Sequence, residues 1–409
     1  MALKPVSAHL EDVLGMVAPL EALDVPLLEA HGCLLAGDIT SERDLPVFDN
    51  SSMDGYAVRL DDVASASEAQ PVTLPVVGDI AAGTPPAYRI QPGFTARIMT
   101  GAVVPPGADA VVPVEWTDGG VASVTITRAP VLGAHVRRRG EDVRSGDVVL
   151  TTGTTVGPTQ LGVLAAIGRA RVHIRPRPRV VVLSTGSELV EPGQSIGPGQ
   201  ISDSNSFMLT AAARDAGATA FRVGIVPDDP RRLMTAIEDQ LIRADLVLTT
   251  GGVSVGAYDV VKEVLSRLGT VHFEKVAMQP GMPQGFGTVG PDDTPIITLP
   301  GNPVSAYVSF EVFVRPAIRT MIGVESVHRP TVRAECQQGF SSPAGRRQYM
   351  RGWLSVSEGR YVVRPVGGPG SHLLGALAGA NALIVVGEDV QDVPLGSTVT
   401  VMVLDRRSL

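Results

Sequence analysis

Three segments rich in glycine and hydroxyl residues carry the clearest chemistry in this sequence. Each follows an apolar run that predicts a strand and leads toward a predicted helix; they span residues 184–188, 251–259 and 300–305. Backbone N–H groups and partial positive charge collect where a helix begins, so such segments attract anions. One such segment would be explained as a tight turn. Three at successive strand ends favour a pocket for an anionic, phosphate-bearing small molecule.

Four acidic residues come just after predicted strands: Glu188, Asp203, Asp228 and Asp259. In an open α/β sheet, the carboxyl ends of the strands meet at the edge where ligands bind. Mg²⁺ takes one or two carboxylates together with phosphate oxygens, so these acids predict a magnesium site beside the pocket. For Asp203 and Asp228 a second interpretation stays open, because both precede helices and could act as N-caps.

Lysine is rare in this chain and occurs only at positions 4, 262 and 275, while every other basic residue is arginine. Lys275 falls on a predicted strand over residues 272–278. A lysine is a compact point charge, and its rarity here favours an anion contact at Lys275 over an ordinary surface role.

The common nucleotide signatures are absent. There is no Gly-Lys dipeptide and no G-x-G-x-x-G after the first strand, so neither a Walker A loop nor a dinucleotide fingerprint is present. Residues 252–256 do match G-x-S-x-G, which makes Ser254 a candidate nucleophile of a serine hydrolase with His328 or His372 as base. No HGGG-type loop accompanies the motif, and a chain with 45 glycines produces it easily by chance. The hydrolase stays as an alternative.

Composition limits the partners. The net charge is −8 and aromatic residues make up 4%, which argues against a nucleic-acid binder. No apolar run is long enough to cross a membrane, and the N-terminal residues do not resemble a secretory signal. Cys33 and Cys336 lie far apart, and no H-x-x-x-H or C-x-x-C spacing supports zinc. These features predict a cytoplasmic protein.

The elements that position these residues change in character along the chain. A helix is predicted over residues 7–20, where apolar residues recur on one face. From about residue 71 to 150, short β runs separated by Gly and Pro predict a small all-β module. Residues 175–178 read Arg-Pro-Arg-Pro and predict a linker.

Strands and helices then alternate. The predicted strands are 180–184, 220–226, 246–250, 272–278 and 296–299, and the predicted helices are 205–216, 230–243, 259–268 and 304–321. This alternation implies a mostly parallel sheet covered on both faces, a three-layer α/β/α domain. After residue 329 the β pattern returns, and Ser357-Glu358-Gly359 predicts a hairpin in a small barrel or sandwich.

Taken together, these segments resemble the molybdopterin molybdenumtransferase family, which includes MoeA and the gephyrin E domain. The segment Met53-Asp54-Gly55-Tyr56 is highly specific for that family. The other matching segments follow the family's order along nearly the whole chain: 44–46, 48–52, 97–101, 107–112, 139–142, 184–189, 250–259, 299–306 and 370–372.

The resemblance implies an L-shaped protomer of four domains and a head-to-tail homodimer with a shared active site. Residues 1–47 and 141–176 would form an elongated domain, with residues 48–140 inserted as a β domain. The α/β molybdopterin-binding domain would span residues 177–327, and a β-barrel domain would span residues 328–409. In the dimer, the inserted domain of one subunit would complete the pocket of the other.

The resemblance also implies a reaction. Molybdate would be inserted into adenylylated molybdopterin, with Mg²⁺-dependent cleavage of the pyrophosphate and release of AMP. Molybdopterin adenylyltransferase and molybdoenzyme apoproteins would be the protein partners, with no nucleic acid and no membrane. A scaffold of the same fold without catalysis is the alternative.

By the same resemblance, Asp54, Glu188, Asp228 and Asp259 are the catalytic acids, and the last three are the metal ligands. The binding positions would be Thr100, Gly186, Gly251, Gly252, Ser254, Lys275, Pro300, Gly301, Asn302, Ser305, Arg351 and Ser371. The sequence departs from many members at residues 279–283, where Gln279 and Met282 stand in place of lysines. We therefore expect Lys275 and Arg351 to carry more of the oxyanion binding.

Overall fold

The computed structural model describes residues 3–251 and 258–405, and of residues 258–260 and 262 it describes the backbone alone. The chain forms two compact units. The smaller comprises residues 24–31 and 35–173, and the larger comprises residues 1–23, 32–34 and 174–409. The four-domain division expected from the sequence stays a prediction. No helix in the described ranges is long and apolar enough to cross a membrane.

A five-stranded sheet forms the centre of the smaller unit; four of its strands lie in the region where the β pattern was predicted, and Gly55–Val58 lies before it. Its strands lie in the order Ala110–Pro113, Gly55–Val58, Thr95–Ile98, Val72–Ile80 and Ser123–Ile126. Alternate residues of the Gly55–Val58 strand pack into different apolar clusters, with Tyr56 and Val58 in one and Ala57 in the other. Both faces are therefore covered, which explains why every residue of that strand is buried.

Short elements complete the smaller unit. Asn50–Ser51 pairs with Val136–Arg137, and Ile39–Thr40 pairs with Val148–Leu150. Its helices are Leu60–Val63 and Pro158–Ala166, and its single turns of 3₁₀ helix are Leu27–Ala30 and Val114–Trp116. Three more short strands are Leu23–Pro26, Leu34–Leu35 and Arg171–Arg175, and each includes residues assigned to both units.

The larger unit contains a six-stranded sheet. Its order is Thr219–Val226, Arg179–Thr185, Leu246–Thr250, Thr294–Leu299, Pro283–Val289 and Gly269–Lys275. The first four strands are parallel, and the last two continue the sheet in antiparallel fashion. A short parallel pair, Leu189–Val190 with Ile201–Ser202, lies outside this sheet.

The strand Pro283–Val289 was not predicted. It begins with proline and contains Gly285 and Gly287, which weaken a β signal in sequence. The pairing itself requires one of these glycines, since a Cβ on Gly287 would lie 1.9 Å from the carbonyl oxygen of Thr270 on the neighbouring strand.

Helices cover both faces of the sheet, which confirms the three-layer arrangement. Val180 and Val182 pack into one apolar cluster, and Val181 and Leu183 pack into the other. The helices of this unit are Val6–Gly15, Asn205–Asp215, Pro230–Leu241, Tyr258–Leu268 and Leu374–Ala378, together with the run described next. The first of them was predicted to continue to residue 20 but ends at Gly15, a poor helix former.

The last long helix contains a π-helical turn. Pro303–Ser309 is α-helical, Phe310–Val314 is π-helical, and Arg315–Ile322 returns to α. Pro316 has no N–H group to bond the carbonyl one turn earlier, so the regular α pattern is interrupted beside it.

The C-terminal strands close into a barrel, which decides between the barrel and the sandwich. The order is Met278–Gln279, Arg347–Ser357, Arg360–Pro365, Thr331–Cys336, Thr398–Val403 and Ala382–Val386, and the last strand pairs back with Arg347–Ser357. The predicted hairpin is present, with Glu358 and Gly359 both at positive φ. A small ribbon pairs Phe340–Ser341 with Asp392–Val393.

Candidate active site

The three glycine-rich strand ends line one pocket of about 370 Å³ in the larger unit. It lies at the carboxyl ends of three adjacent parallel strands: Arg179–Thr185, Leu246–Thr250 and Thr294–Leu299. Because parallel strands end at the same edge, segments more than a hundred residues apart in sequence meet there. Among the predicted site residues, the pocket is lined by Gly186, Glu188, Asp228, Gly251, Pro300, Gly301, Asn302 and Ser305.

Two glycines are required by the shape of the pocket wall. Gly251 has a φ of +94°, and a Cβ there would lie 2.2 Å from the carbonyl oxygen of Thr185. Gly186 has a φ of +155°, and a Cβ there would lie 2.7 Å from Oε2 of Glu188. At Gly251, the missing side chain lets the backbone approach the strand end at Thr185. At Gly186, it leaves room for the carboxylate of Glu188.

Asp228 lines the pocket and has one carboxylate oxygen without a partner among the described residues. Its Oδ2 accepts a hydrogen bond from the backbone N–H of Ser187 at 3.1 Å, and its own N–H donates to Oγ of Ser187 at 3.2 Å. Its Oδ1 is buried and has no partner in the described part of the chain. The helix that follows is capped by Asp229, which accepts from the N–H of Arg232 at 2.9 Å. The capping interpretation is therefore wrong for Asp228.

Asp203 has the opposite character. Only 1% of it is exposed, and it accepts hydrogen bonds from Oγ of Ser184 at 2.9 Å and from the N–H of Ser206 at 3.1 Å. It also accepts from Oγ of Ser206 and forms an ion pair with Arg222 at 3.2 Å. Its acceptors are used inside the protein, so Asp203 organises the helix start beneath the pocket.

Asn205 is a pocket residue that the sequence did not reveal. Its Nδ2 donates to Oγ1 of Thr250 at 3.0 Å and to the carbonyl oxygen of Gly301 at 2.7 Å. It therefore joins two of the three strand ends. Its Oδ1 is buried without a partner in the residues described, and the side chain lines the pocket. In sequence, an asparagine at the start of a helix suggests only a capping residue.

The remaining predicted residues near the pocket occupy its wall and rim. Ser305 is only 5% exposed and lies in the first turn of the helix that begins at Pro303. Glu188 and Asn302 are exposed. Lys275 is also exposed and is the cross-strand partner of Pro283, a pocket-lining residue, but is not itself part of the lining.

Arg351 and Ser371 lie outside the pocket lining. Arg351 is 2% exposed, and its guanidinium donates to the carbonyl oxygens of Gly370 at 3.0 Å, Val366 at 3.4 Å and Gly368. Burial lowers the pKa of this guanidinium. The carbonyl oxygen of Ser371 accepts from the N–H of Val304 at 3.1 Å. Both residues therefore order the loop that supports the helix carrying Ser305.

Neither residue that replaces a lysine presents a positive charge. Gln279 accepts a hydrogen bond from Nη1 of Arg346 at 3.2 Å through its Oε1. The carbonyl oxygen of Met282 accepts from the N–H of Val276 at 2.8 Å. The hydrogen bonds of Gln279 and Met282 are thus made to the side chain of Arg346 and to the backbone of Val276.

Asp54 and Thr100 belong to the smaller unit. Both are exposed, and Oδ1 of Asp54 accepts from the N–H of Thr100 at 2.7 Å and from its hydroxyl at 2.8 Å. The backbone bond and then the hydroxyl bond hold the pKa of Asp54 below its usual value. This carboxylate is therefore kept charged and fixed in direction.

Some predicted residues lie outside the described residues. Gly252 and Ser254 belong to residues 252–257, and of Asp259 the side chain is not described. Among the side chains that are described, no three of His, Cys, Asp or Glu lie together as a metal-binding group.

Comparison with known proteins covers nearly the whole chain. A family model for the MoeA N-terminal region (domain I and II) matches residues 4–168. A model for a probable molybdopterin binding domain matches residues 181–320, and one for the MoeA C-terminal region (domain IV) matches residues 333–404.

Individual proteins agree with these models. Molybdopterin molybdenumtransferase 2 of Mycobacterium tuberculosis is 48% identical over 98% of this chain and 99% of its own length. Molybdopterin molybdenumtransferase 1 of the same organism is 45% identical over 95% and 96%. The crystal structure of a molybdopterin biosynthesis MoeA protein from Pyrococcus horikoshii matches with a TM-score of 0.81 at 31% identity, over 98% of this chain and 99% of that one.

These matches favour a transferase over the serine hydrolase suggested by residues 252–256. Sequence motifs, fold and full-length relatives agree. The chain belongs to the molybdopterin molybdenumtransferase family and is a transferase of molybdenum cofactor biosynthesis.

Proposed function

We propose that this protein inserts molybdate into adenylylated molybdopterin and cleaves the pyrophosphate of that substrate, releasing AMP. The observation that carries the proposal is the buried Oδ1 of Asp228, which has no partner within the described residues although it lies at the pocket. Leaving a buried acceptor unpaired costs about 1–3 kcal/mol. A bound cation or donor would remove that cost, so the pocket suits an occupant that brings positive charge together with its phosphates.

The residues present fit Mg²⁺. Glu188 and Asp228 are both pocket-lining carboxylates, and Mg²⁺ binds through one or two carboxylates plus phosphate oxygens. Asp259 would be the third ligand by family resemblance. Bound Mg²⁺ would neutralise negative charge on the pyrophosphate. The cleavage itself is a hydrolysis, in which water adds across the P–O–P bond and AMP leaves.

The rest of the pocket would bind and orient the substrate. The Ser305 hydroxyl, in the first turn of its helix, suits phosphate oxygens. Asn205 holds two strand ends together and so keeps this donor in a fixed position. Lys275, exposed beside Pro283 on the neighbouring strand, supplies positive charge for the incoming molybdate oxyanion.

A homodimer with a shared active site is part of the proposal. Asp54 would be contributed by the second subunit. Its ionised and fixed carboxylate has no ion-pair partner among the described residues, which suits a role toward substrate. An inactive scaffold would be expected to lose such acids, whereas Asp54, Glu188, Asp228 and Asp259 are all present.

An insertion assay tests the proposal. Purified protein is given adenylylated molybdopterin, molybdate and Mg²⁺, and AMP release and cofactor formation are measured. Wild type should produce both, and omission of Mg²⁺ should abolish both. Asp228→Asn should reduce the rate by about 100-fold or more, in the range expected for loss of a catalytic charge.

Asp229→Asn is the matched control, since it removes the same charge one residue away while asparagine still caps the helix. It should retain nearly full activity. A wild-type protein that forms no cofactor and releases no AMP would refute the proposed function.

A further inference from the structure

The larger unit contains a second cavity, of about 960 Å³, that shares no lining residue with the strand-end pocket. Its walls come from the helix Asn205–Asp215, the helical run that begins at Pro303, and residues near 374–380 and 403–405. Cavities of roughly 300–1,000 Å³ are the size of small-molecule sites. The reaction proposed above makes no use of this cavity.

Three arginines line it, and among the described residues Arg329 alone has a close ion pair. Arg329 forms a two-point ion pair with Glu311, with Nε–Oε2 at 2.7 Å and Nη2–Oε1 at 2.9 Å. Glu311 is 2% exposed, so the pair is shielded from water. Nε of Arg315 is 3.9 Å from the same Oε2, beyond hydrogen-bonding distance.

The other two arginines have no close ion pair among the described residues. Nε and Nη1 of Arg315 are buried and have no hydrogen-bond partner among the described residues. Arg319 lies one helical turn later and has no ion pair among the described residues. Burial and the nearby charge of Arg329 lower the pKa of both guanidinium groups. The acids among the lining residues are Asp215 and Asp405, and both are exposed.

Part of the cavity wall is apolar, with Met208, Leu374 and Leu377 among its residues. A small inorganic ion would leave that part in contact with water. An occupant with an anionic group and an apolar body would satisfy both parts of the wall, because phosphate oxygens accept from guanidinium N–H groups and the apolar body is removed from water.

We propose that this cavity is a binding site for a small organic phosphate, whose phosphate group is held by Arg315 and Arg319 and whose apolar body packs against Met208 and Leu377. The site is separate from the one at which molybdopterin would be processed. A test of this binding site is therefore independent of a test of the proposed function.

Calorimetry with phenyl phosphate tests the site. Phenyl phosphate should bind wild-type protein more tightly than inorganic phosphate does, phenol should not bind measurably, and affinity should fall as ionic strength rises. Arg315→Gln and Arg319→Gln should each weaken binding about 10-fold or more. Arg231→Gln removes an exposed arginine of another helix and should leave the affinity unchanged.

A second measurement uses wild-type protein, so that it does not depend on the folding of a variant. Arginines are modified with phenylglyoxal and quantified by peptide mass spectrometry. Saturating phenyl phosphate should slow modification of Arg319 and not of Arg231. Unchanged modification of Arg319 would overturn the proposal, as would equal affinity in wild type and both cavity variants. Inorganic phosphate binding as tightly as phenyl phosphate would overturn the role of the apolar wall.

Discussion

Asp54 and Thr100 are joined by two hydrogen bonds at a single carboxylate oxygen: the N–H of Thr100 at 2.7 Å and its hydroxyl at 2.8 Å both donate to Oδ1 of Asp54. These bonds favour the ionised form and lower the pKa of Asp54. Their contribution to stability is therefore present above the unfolded-state pKa, and it is lost as pH falls through the lower folded-state pKa.

Thr100→Val should raise the pKa of Asp54 toward its ordinary value. The shift should be incomplete, because the larger cause, the backbone N–H, remains. Carboxylate ¹³C chemical shifts followed through an acid titration measure it. The pair Asp38 and Thr152 has the same geometry, with bonds of 2.7 and 2.8 Å to one oxygen. Thr152→Val should shift Asp38 in the same way without reducing insertion activity, whereas Thr100→Val should reduce it. Equal activity in the two variants would contradict the role given to Asp54.

Asn205→Ala should loosen the pocket. It removes the bonds to Thr250 and to the carbonyl of Gly301, and we expect about 1–2 kcal/mol lower stability. The KM for adenylylated molybdopterin should rise more than kcat falls, since the donors would be less well positioned. Steady-state kinetics and thermal unfolding measure the two effects. Asn205→Asp keeps an acceptor but loses the Nδ2 donor, so it should be no better than alanine; recovery by aspartate would argue against the bridging role.

Gly251→Ala should be poorly tolerated. The new Cβ would lie 2.2 Å from the carbonyl oxygen of Thr185 at a φ of +94°, and we expect a loss of about 2 kcal/mol or more. Gly301→Ala is the control, because its nearest contact would be an ordinary 3.6 Å from the Cα of Gly251. A thermal unfolding midpoint that falls equally in both variants would show that the close approach at Gly251 is unimportant.

Arg351→Lys should free the loop that the guanidinium holds. Lysine lacks the planar guanidinium that lets Arg351 donate to three separate carbonyl oxygens. Each charged hydrogen bond that is lost costs about 1.5–3 kcal/mol. Amide hydrogen exchange of residues 366–371 should accelerate. Arg333→Lys, at an exposed arginine on another strand of the same barrel, should leave those amides unchanged. If Arg351 instead contacts molybdate directly, molybdate affinity would change without any change in exchange.

Two inactive variants should complement each other if the active site is shared. In a mixture of Asp54→Ala and Asp228→Asn subunits, a mixed dimer would contain one site with neither substitution. Refolding an equimolar mixture should restore roughly a quarter of the wild-type site number. The activity of each variant refolded alone is the baseline. An inactive mixture that nevertheless contains mixed dimers would show that both acids come from one subunit.

Much of this architecture was readable from the sequence because the signals are local. The alternation of strands and helices from residue 179 onward, the hairpin at Glu358 and Gly359, and the closeness of the strand ends follow from periodicity and the geometry of parallel sheets. The specific segment around Asp54 is enough to indicate the family from the sequence alone.

Only the tertiary structure decided which polar groups have partners. Asp203 and Asp228 look alike in sequence, yet one is saturated by Ser184 and Ser206 while the other keeps a buried acceptor unpaired. Asn205 acquires its role from Gly301, 96 residues away. The strand Pro283–Val289 contains glycine at position 287 because the backbone of the neighbouring strand leaves no room for a side chain there. A sequence states which groups each residue carries, but whether a buried donor or acceptor is satisfied depends on residues that only the folded chain brings together.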